Sequence, residues 1–295
     1  MSGDSRRGGL ECEQADRVGS RRQEVRAIGI PLVQVDAFTA EPFKGNPAAV
    51  CVLPHDAPEA WMQAVAAEMN LAETVFVLRR DAHDFDIRWF TPTVEVPLCG
   101  HATLAAAHAL WERGDVPAEQ RIRFHSQSGV LEADHEDGWV RLDFPALPVT
   151  ACAMPKAQAE GFGVPASPAW RNEHGTYLIE LAGEADVRAL QPDFSHLRRL
   201  APPQCIVTAR SDDPQFHFVS RFFAPGHGID EDPVTGSAHC SLGPYWAERL
   251  GGNELVGRQL STRGGVVKVR TLGDRVDLLG QAVTVMRGEL LTPAG

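Results

Sequence analysis

Asp230-Glu231-Asp232-Pro233-Val234-Thr235-Gly236-Ser237 sets three carboxyl groups in front of a donor-rich turn. Asp230 and Glu231 read plainly as acids that cap a helix start and complement its dipole. Asp232 stands apart, because Pro233 fixes the chain just beyond it. Gly236 allows the backbone to approach a ligand closely, and Ser237 adds a hydroxyl. His101, in Gly100-His101-Ala102-Thr103, heads a second Ala/Leu-rich helical pattern. The outward N–H groups of a helix start carry partial positive charge, which disfavours imidazolium and predicts a neutral His101 that accepts or relays a proton. A buried, structurally bonded histidine is the plain alternative. Glu73 marks a change from helix to strand in Asn70-Leu71-Ala72-Glu73-Thr74-Val75-Phe76-Val77. Alone it reads as an exposed strand terminus as readily as a base. Together, two acids and an imidazole are the groups of general acid–base catalysis. Two helix starts meeting at one cleft would bind a carboxylate.

The elements that must position these residues occur twice. Arg88-Trp89-Phe90-Thr91-Pro92 resembles Arg221-Phe222-Phe223-Ala224-Pro225, and each proline ends an extended aromatic run. Gly100-His101-Ala102-Thr103 and Gly236-Ser237-Ala238-His239 then open helical segments that close at Trp111-Glu112-Arg113-Gly114 and Trp246-Ala247-Glu248-Arg249-Leu250-Gly251. Arginine near a helix end followed by glycine is a C-terminal signal. Two unrelated strand–loop–helix units could look alike by chance. A duplicated domain predicts more: two equivalent loop-to-helix junctions facing each other across a pseudo-symmetric cleft.

The remaining pattern fits around the repeat. Residues 32–38 and 48–53 read as strands, 58–69 as a helix with Trp61, Val65 and Met69 on one face, and 74–78 as a strand. Residues 130–136 and 139–144 flank Asp137-Gly138, a strong hairpin signal. Residues 266–271 and 275–279 flank Leu272-Gly273-Asp274, and 281–290 supply a further strand. The expected fold is α+β, with two similar domains, each a curved, barrel-like, mostly antiparallel sheet around a central helix. A Pro-punctuated stretch near 145–155 marks the boundary, giving domains at 29–148 and 149–295 behind an extension at 1–28.

Composition narrows the class of function. A net charge of −11 over 295 residues disfavours nonspecific nucleic-acid binding, which needs a basic surface. No apolar run reaches the ~20 residues that cross a bilayer. The first stretch lacks the apolar region of a secretory signal, and Asp4, Glu11, Glu13 and Asp16 fit a mitochondrial presequence poorly. Cys12, Cys51, Cys99, Cys152, Cys205 and Cys240 are scattered with no C-x-x-C pair, so reduced thiols in cytoplasm are expected. Neither a G-x-G-x-x-G after a strand nor a G-x-x-x-x-G-K-[ST] suggests a nucleotide.

Val35-Asp36-Ala37-Phe38 with Gly45-Asn46-Pro47-Ala48-Ala49-Val50, Ala72-Glu73-Thr74, Phe90-Thr91-Pro92 with Cys99-Gly100-His101-Ala102-Thr103, and Glu231-Asp232-Pro233-Val234-Thr235-Gly236-Ser237-Ala238 resemble the successive signatures of PhzF-like proteins. The resemblance covers nearly everything after Ile30. It implies the diaminopimelate-epimerase-like fold, a homodimer, and isomerisation of a small carboxylate-bearing substrate without cofactor or metal. It implies that Glu73 is the general acid/base, that His101 and Asp232 act beside it, and that Asn46, Gly100, Gly236 and Ser237 bind substrate. Glu73 would take a proton from a carbon next to an unsaturated system and return it elsewhere on the same molecule.

Three other readings compete. An amino-acid epimerase of the same fold uses one cysteine from each half. Cys99 stands at the matching place in the first half, but Thr235-Gly236-Ser237 offers none and Cys240 lies a turn further on, which leaves Cys99 as a small packed residue. A metal-dependent hydrolase would draw on His227, Asp230, Asp232 and His239, which lack an established ligand spacing. A binding protein with a relict cleft would have little use for Glu73, His101 and Asp232 together.

Overall fold

The computed structural model describes Met1 and residues 29–200 and 203–292. Apart from Met1, the extension expected over residues 1–28 lies outside the described residues. β1 (Ile30–Ala37) and β2 (Asn46–Leu53) lead through α1 (Glu59–Met69) to β3 (Glu73–Arg79), β4 (Asp84–Phe90) and β5 (Glu95–Val96). α2 (Gly100–Glu112) is followed by β6 (Ile122–Ser126), β7 (Gly129–Glu136) and β8 (Trp139–Pro145). Then come β9 (Thr150–Cys152), α3 (Lys156–Phe162), β10 (Ala169–Arg171), β11 (Tyr177–Glu180), α4 (Glu184–Ala189) and α5 (Phe194–Leu200). The chain ends through β12 (Cys205–Arg210), β13 (Phe218–Phe223), α6 (Gly236–Leu250), β14 (Glu254–Gln259), β15 (Gly265–Leu272), β16 (Arg275–Gly280) and β17 (Ala282–Leu290).

One ladder is built twice. In the first, β17, β1, β2, β3, β4, β6, β7 and β8 pair in that order. In the second, β9 to β16 pair in chain order. Strand directions agree pair by pair: β2–β3 and β4–β6 are parallel, as are β11–β12 and β13–β14. The edges β8 and β16 pair antiparallel and join the ladders. After β8 the chain crosses to give β9 to the second ladder, and after β16 it returns to give β17 to the first. The fold is α+β with two similar halves.

Each half curls around one helix. α2 buries His101, Ala102, Thr103, Leu104, Ala105, Ala106, Ala107, Ala109 and Leu110, apolar on nearly every side as an enclosed helix must be. Its alanines let strands approach, while Leu104 and Leu110 each contribute about 1.5–3 kcal/mol by full burial. α6 is its equivalent, and Gly243 faces Val269 so closely that an added Cβ would sit 2.5 Å from Cγ1.

The repeat extends to ion pairs. Arg88 binds both oxygens of Glu95 at 2.7 Å, and Arg221 binds both oxygens of Glu231 at 2.7 and 2.9 Å. Each guanidinium also lies over the phenylalanine two residues on, Phe90 or Phe223. Glu231 is therefore an ion-pair partner rather than a helix cap, and Asp230 pairs with Arg198. Asp137 and Gly138 both take positive φ (49° and 80°), the turn the Asp-Gly hairpin demands. The helix at 59–69 turns Trp61, Val65 and Met69 to one core cluster as expected, with Met62 and Ala66 buried there as well.

Candidate active site

Glu73 is the first residue of β3, where the ladder leaves its side chain at the strand mouth with 13% exposure. His101 is the second residue of α2, and its buried Nε2 lies 3.0 Å from Glu73 Oε2. That contact is electrostatic, because the ring N–H is out of line for a hydrogen bond. Asn46 opens β2 and is fully buried. Its Nδ2 donates to Asp232 Oδ1 and to Val234 O, both at 2.9 Å, and lies 3.2 Å from His101 Nδ1. With its two amide hydrogens directed to Asp232 and Val234, Asn46 meets Nδ1 as a close polar contact. Cys99 Sγ is 3.5 Å from the same Nδ1.

Asp232 comes from the second half. Its Oδ2 accepts from Thr235 Oγ1 at 2.5 Å. Gln259, which no sequence signature distinguishes, clamps this loop: its Oε1 accepts from Thr235 N at 3.0 Å and its Nε2 donates to Asp232 O at 2.8 Å. Arg263 ties the loop at 260–264 to the first half, donating to Gly45 O at 2.8 Å and to buried Asp36 Oδ1 at 2.7 Å. Gly45 allows the docking through φ of +63°, in a space where a Cβ would lie 2.1 Å from Ala37 O.

Electrostatics divides these groups. Burial pushes the Asp232 carboxyl up to about 6, against the pull of His101, Thr235 and Asn46. Burial opposes the His101 imidazolium, but the adjacent Glu73 carboxylate favours it and His101 is raised well above its ordinary value. The neutral His101 expected from the helix end is thus corrected: a carboxylate at 3.0 Å is a nearer and fuller charge than the helix dipole. Burial, and then Glu73, raise the Cys99 thiol.

The two helix starts meet. A Cβ on Gly100 would lie 3.6 Å from Gly236 Cα, and a Cβ on Gly236 would lie 3.6 Å from Gly100 Cα. Ser237 is exposed beside this meeting point, across from His101 on the other helix. Asn46 Oδ1 and His101 Nε2 are buried without a hydrogen-bond partner among the described residues, a pattern that a ligand or water completes.

The hydrolase set does not assemble as one. His239 is buried, donates from Nδ1 to Thr235 O at 2.8 Å, and is pushed down to about 4 by burial, while Asp230 is held by Arg198. Among the described residues, the donor atoms that do converge are those of Glu73, Cys99 and His101, within 4.8 Å of one another. Burial raises the Cys99 thiol, so these atoms belong to a carboxylate, an imidazole and a thiol, groups that can hold or pass protons. Cys240 is pushed up to about 12 by burial and turns to Gly236 O.

Known proteins share this architecture. The model of the phenazine biosynthesis-like protein family matches residues 35–288. The chain belongs to the PhzC–PhzF family. An uncharacterized isomerase of Halalkalibacterium halodurans is 50% identical over 262 residues, covering 88% of this chain and 98% of that protein. One from Pseudomonas aeruginosa is 49% identical, covering 87% and 97%. A PhzF-family crystal structure from Enterococcus faecalis superposes with TM-score 0.82 at 40% identity, over 89% of this chain and 99% of that one. Relatives of this identity and coverage place the chain among the isomerases of the PhzC–PhzF family. A probable proline racemase structure at 14% identity and TM-score 0.58 shares the fold alone. Among the described residues no helix is long and apolar enough to cross a membrane.

Proposed function

We propose that this protein is a cofactor-independent isomerase that moves a proton between two carbons of a small, carboxylate-bearing unsaturated substrate, with Glu73 as its one base. The observation that carries the proposal is the Glu73–His101 contact at 3.0 Å, at a strand mouth where the two central helix starts meet. Glu73 takes the proton from one carbon and delivers it to another. His101, favoured as imidazolium, lies beside Glu73 and steadies its carboxylate form. Asn46, fixed by Asp232, stands on the Nδ1 side of the imidazole, and the backbone at Gly100, Gly236 and Ser237 anchors substrate oxygens. Holding base and carbon together in a partly desolvated site supplies most of what such a shift needs.

An epimerase working with two opposed thiols fits less well. The position equivalent to Cys99, directly before the second helix, is Thr235, and both Cys99 and Cys240 are buried thiols. The working unit is proposed as a cytoplasmic homodimer, on the family resemblance. The division near residues 148 and 149 is proposed as the domain boundary, with β17 returned to the first half.

The test is a panel of unsaturated carboxylates incubated in deuterated water and read by NMR. The wild-type protein should shift a double bond or incorporate label in at least one member. Glu73→Gln should lose this by ~10²-fold or more. Equal exchange by both proteins would refute the assignment.

A further inference from the structure

We infer that Gln204 and its neighbours in the second half form the substrate-anchoring pocket opposite Glu73, and that it receives an oxygen-bearing group such as a carboxylate. The inference rests on the reading of Glu73 as the base. It begins with strand register. Phe90 lies opposite Thr74 in the first ladder, and its repeat partner Phe223 lies opposite Cys205 in the second. Glu73 and Gln204 each stand one residue earlier, so they occupy equivalent strand mouths. His101 and Ser237 are equivalent second residues of the central helices. The β10–β11 loop, carrying Asn172 and His174, takes the place of the β1–β2 loop that delivers Asn46.

These counterparts gather around a cavity of about 30 Å³ lined by Asn172, His174, Thr176, Gln204 and Ser237, backed by Phe222. That space holds one small polar group, since a water needs about 10–15 Å³ of it, and does not hold a ring. The hydrogen bonds fix its polarity. Buried Thr176 donates from Oγ1 to Gln204 Oε1 at 3.0 Å, which occupies the amide's acceptor and leaves its NH2 to donate. Asn172 is used up in the wall: its Oδ1 accepts from Thr176 N at 3.0 Å and its Nδ2 donates to Ser241 Oγ at 3.1 Å. What the pocket offers is the Gln204 amide NH2, the Ser237 hydroxyl and the His174 imidazole, with no carboxylate lining it. An amide NH2 and a hydroxyl beside an imidazole, with no carboxylate to repel an anion, suit an oxygen acceptor.

The duplication thus diverges in chemistry at matched positions. Glutamate and glutamine have equal reach, so one half keeps a base where the other presents a neutral donor. A substrate whose carboxylate enters the Gln204 pocket lays its carbons across the Gly100–Gly236 meeting point towards Glu73.

Benzoate serves as the probe. It should be titrated calorimetrically and co-crystallised with the wild type, Gln204→Glu, Gln204→Asn and Glu73→Gln, each checked by thermal melt. The pocket predicts a benzoate carboxylate within hydrogen-bond distance of Gln204 Nε2 and Ser237 Oγ. It predicts at least tenfold weaker binding to folded Gln204→Glu, because a carboxylate then faces a carboxylate, and weaker binding to Gln204→Asn, which is too short. Glu73→Gln should bind benzoate at least as tightly as wild type, whether or not Glu73 proves to be the base, which keeps the two claims separable. Benzoate seated elsewhere, no binding by the wild type, or unchanged affinity in both Gln204 variants would overturn the inference.

Discussion

Asn46 donates its side-chain amide to Asp232 Oδ1 at 2.9 Å, tying a strand of the first half to the loop that starts the central helix of the second. The same nitrogen lies 3.2 Å from His101 Nδ1, so the carboxylate of one half and the imidazole–carboxylate pair of the other share one amide. The site exists only when both halves are folded against each other.

Asp232 makes that junction sensitive to pH. Its carboxyl is raised to about 6, chiefly by burial, from an unfolded value near 3.9. The folded state therefore binds the proton more tightly than the unfolded state. The stability this contributes is fully present below about pH 4 and is lost as pH rises through about 6. Asp232→Asn should flatten that part of the stability–pH curve and be more stable than wild type at pH 7 by on the order of 1–2 kcal/mol. Chemical denaturation across pH 4 to 8 checks it; parallel curves for the two proteins would contradict it.

Arg263 neutralises Asp36, which is 1% exposed, and holds two carbonyls of the β1–β2 loop. Arg263→Ala should cost about 3–5 kcal/mol by leaving a buried charge unpaired. Adding Asp36→Asn should recover part of that loss. Urea titration of the single and double variants measures the coupling, and strictly additive costs would count against it.

Gly45→Ala should be more damaging than an ordinary loop substitution. The residue holds φ of +63° and its Cβ would meet Ala37 O at 2.1 Å. A loss of about 2 kcal/mol or more is expected. Activity should fall further than stability accounts for, because the neighbouring Asn46 moves with it. A melt within 1–2 °C of wild type would contradict this.

Cys99 and Cys240 should be inert. Both are buried thiols, and neither carries the ionised sulfur that alkylation needs. Iodoacetamide at neutral pH should leave proton exchange unchanged, and Cys99→Ala should retain it within a few-fold. Rapid inactivation tracking one alkylated cysteine would restore the two-thiol reading.

Much of this is legible in the residue order, for physical reasons. Arg88-Trp89-Phe90 and Arg221-Phe222-Phe223 are strands framed by proline, and Gly100 and Gly236 open helical runs that each close on a Trp followed by an Arg, so the duplication shows itself. Asp137-Gly138 announces its hairpin through its positive φ values. The partners that hold the site's loops in place are not legible, because they are long-range. Gln259 and Arg263 reach the site from the far side of the chain through hydrogen bonds that have no local signature. Gln204 becomes the counterpart of Glu73 only through strand register, since three short helices separate or precede the second-half strands where the first half has one. His101 illustrates the opposite failure. Its local position at a helix start argues for a neutral ring, and a glutamate 28 residues earlier decides otherwise.

The central claim is that Glu73 carries the proton. Glu73→Gln keeps the side chain's shape and removes its basic oxygen, so the fold should survive, as a melt close to wild type would show. The measurement is deuterium incorporation from solvent into a carbon of whichever unsaturated carboxylate the wild type turns over, followed by NMR for both proteins at equal concentration. A folded Glu73→Gln protein that exchanges ~10²-fold more slowly or worse, while still binding that carboxylate, is the result predicted. A folded Glu73→Gln protein with exchange near the wild-type rate would contradict it.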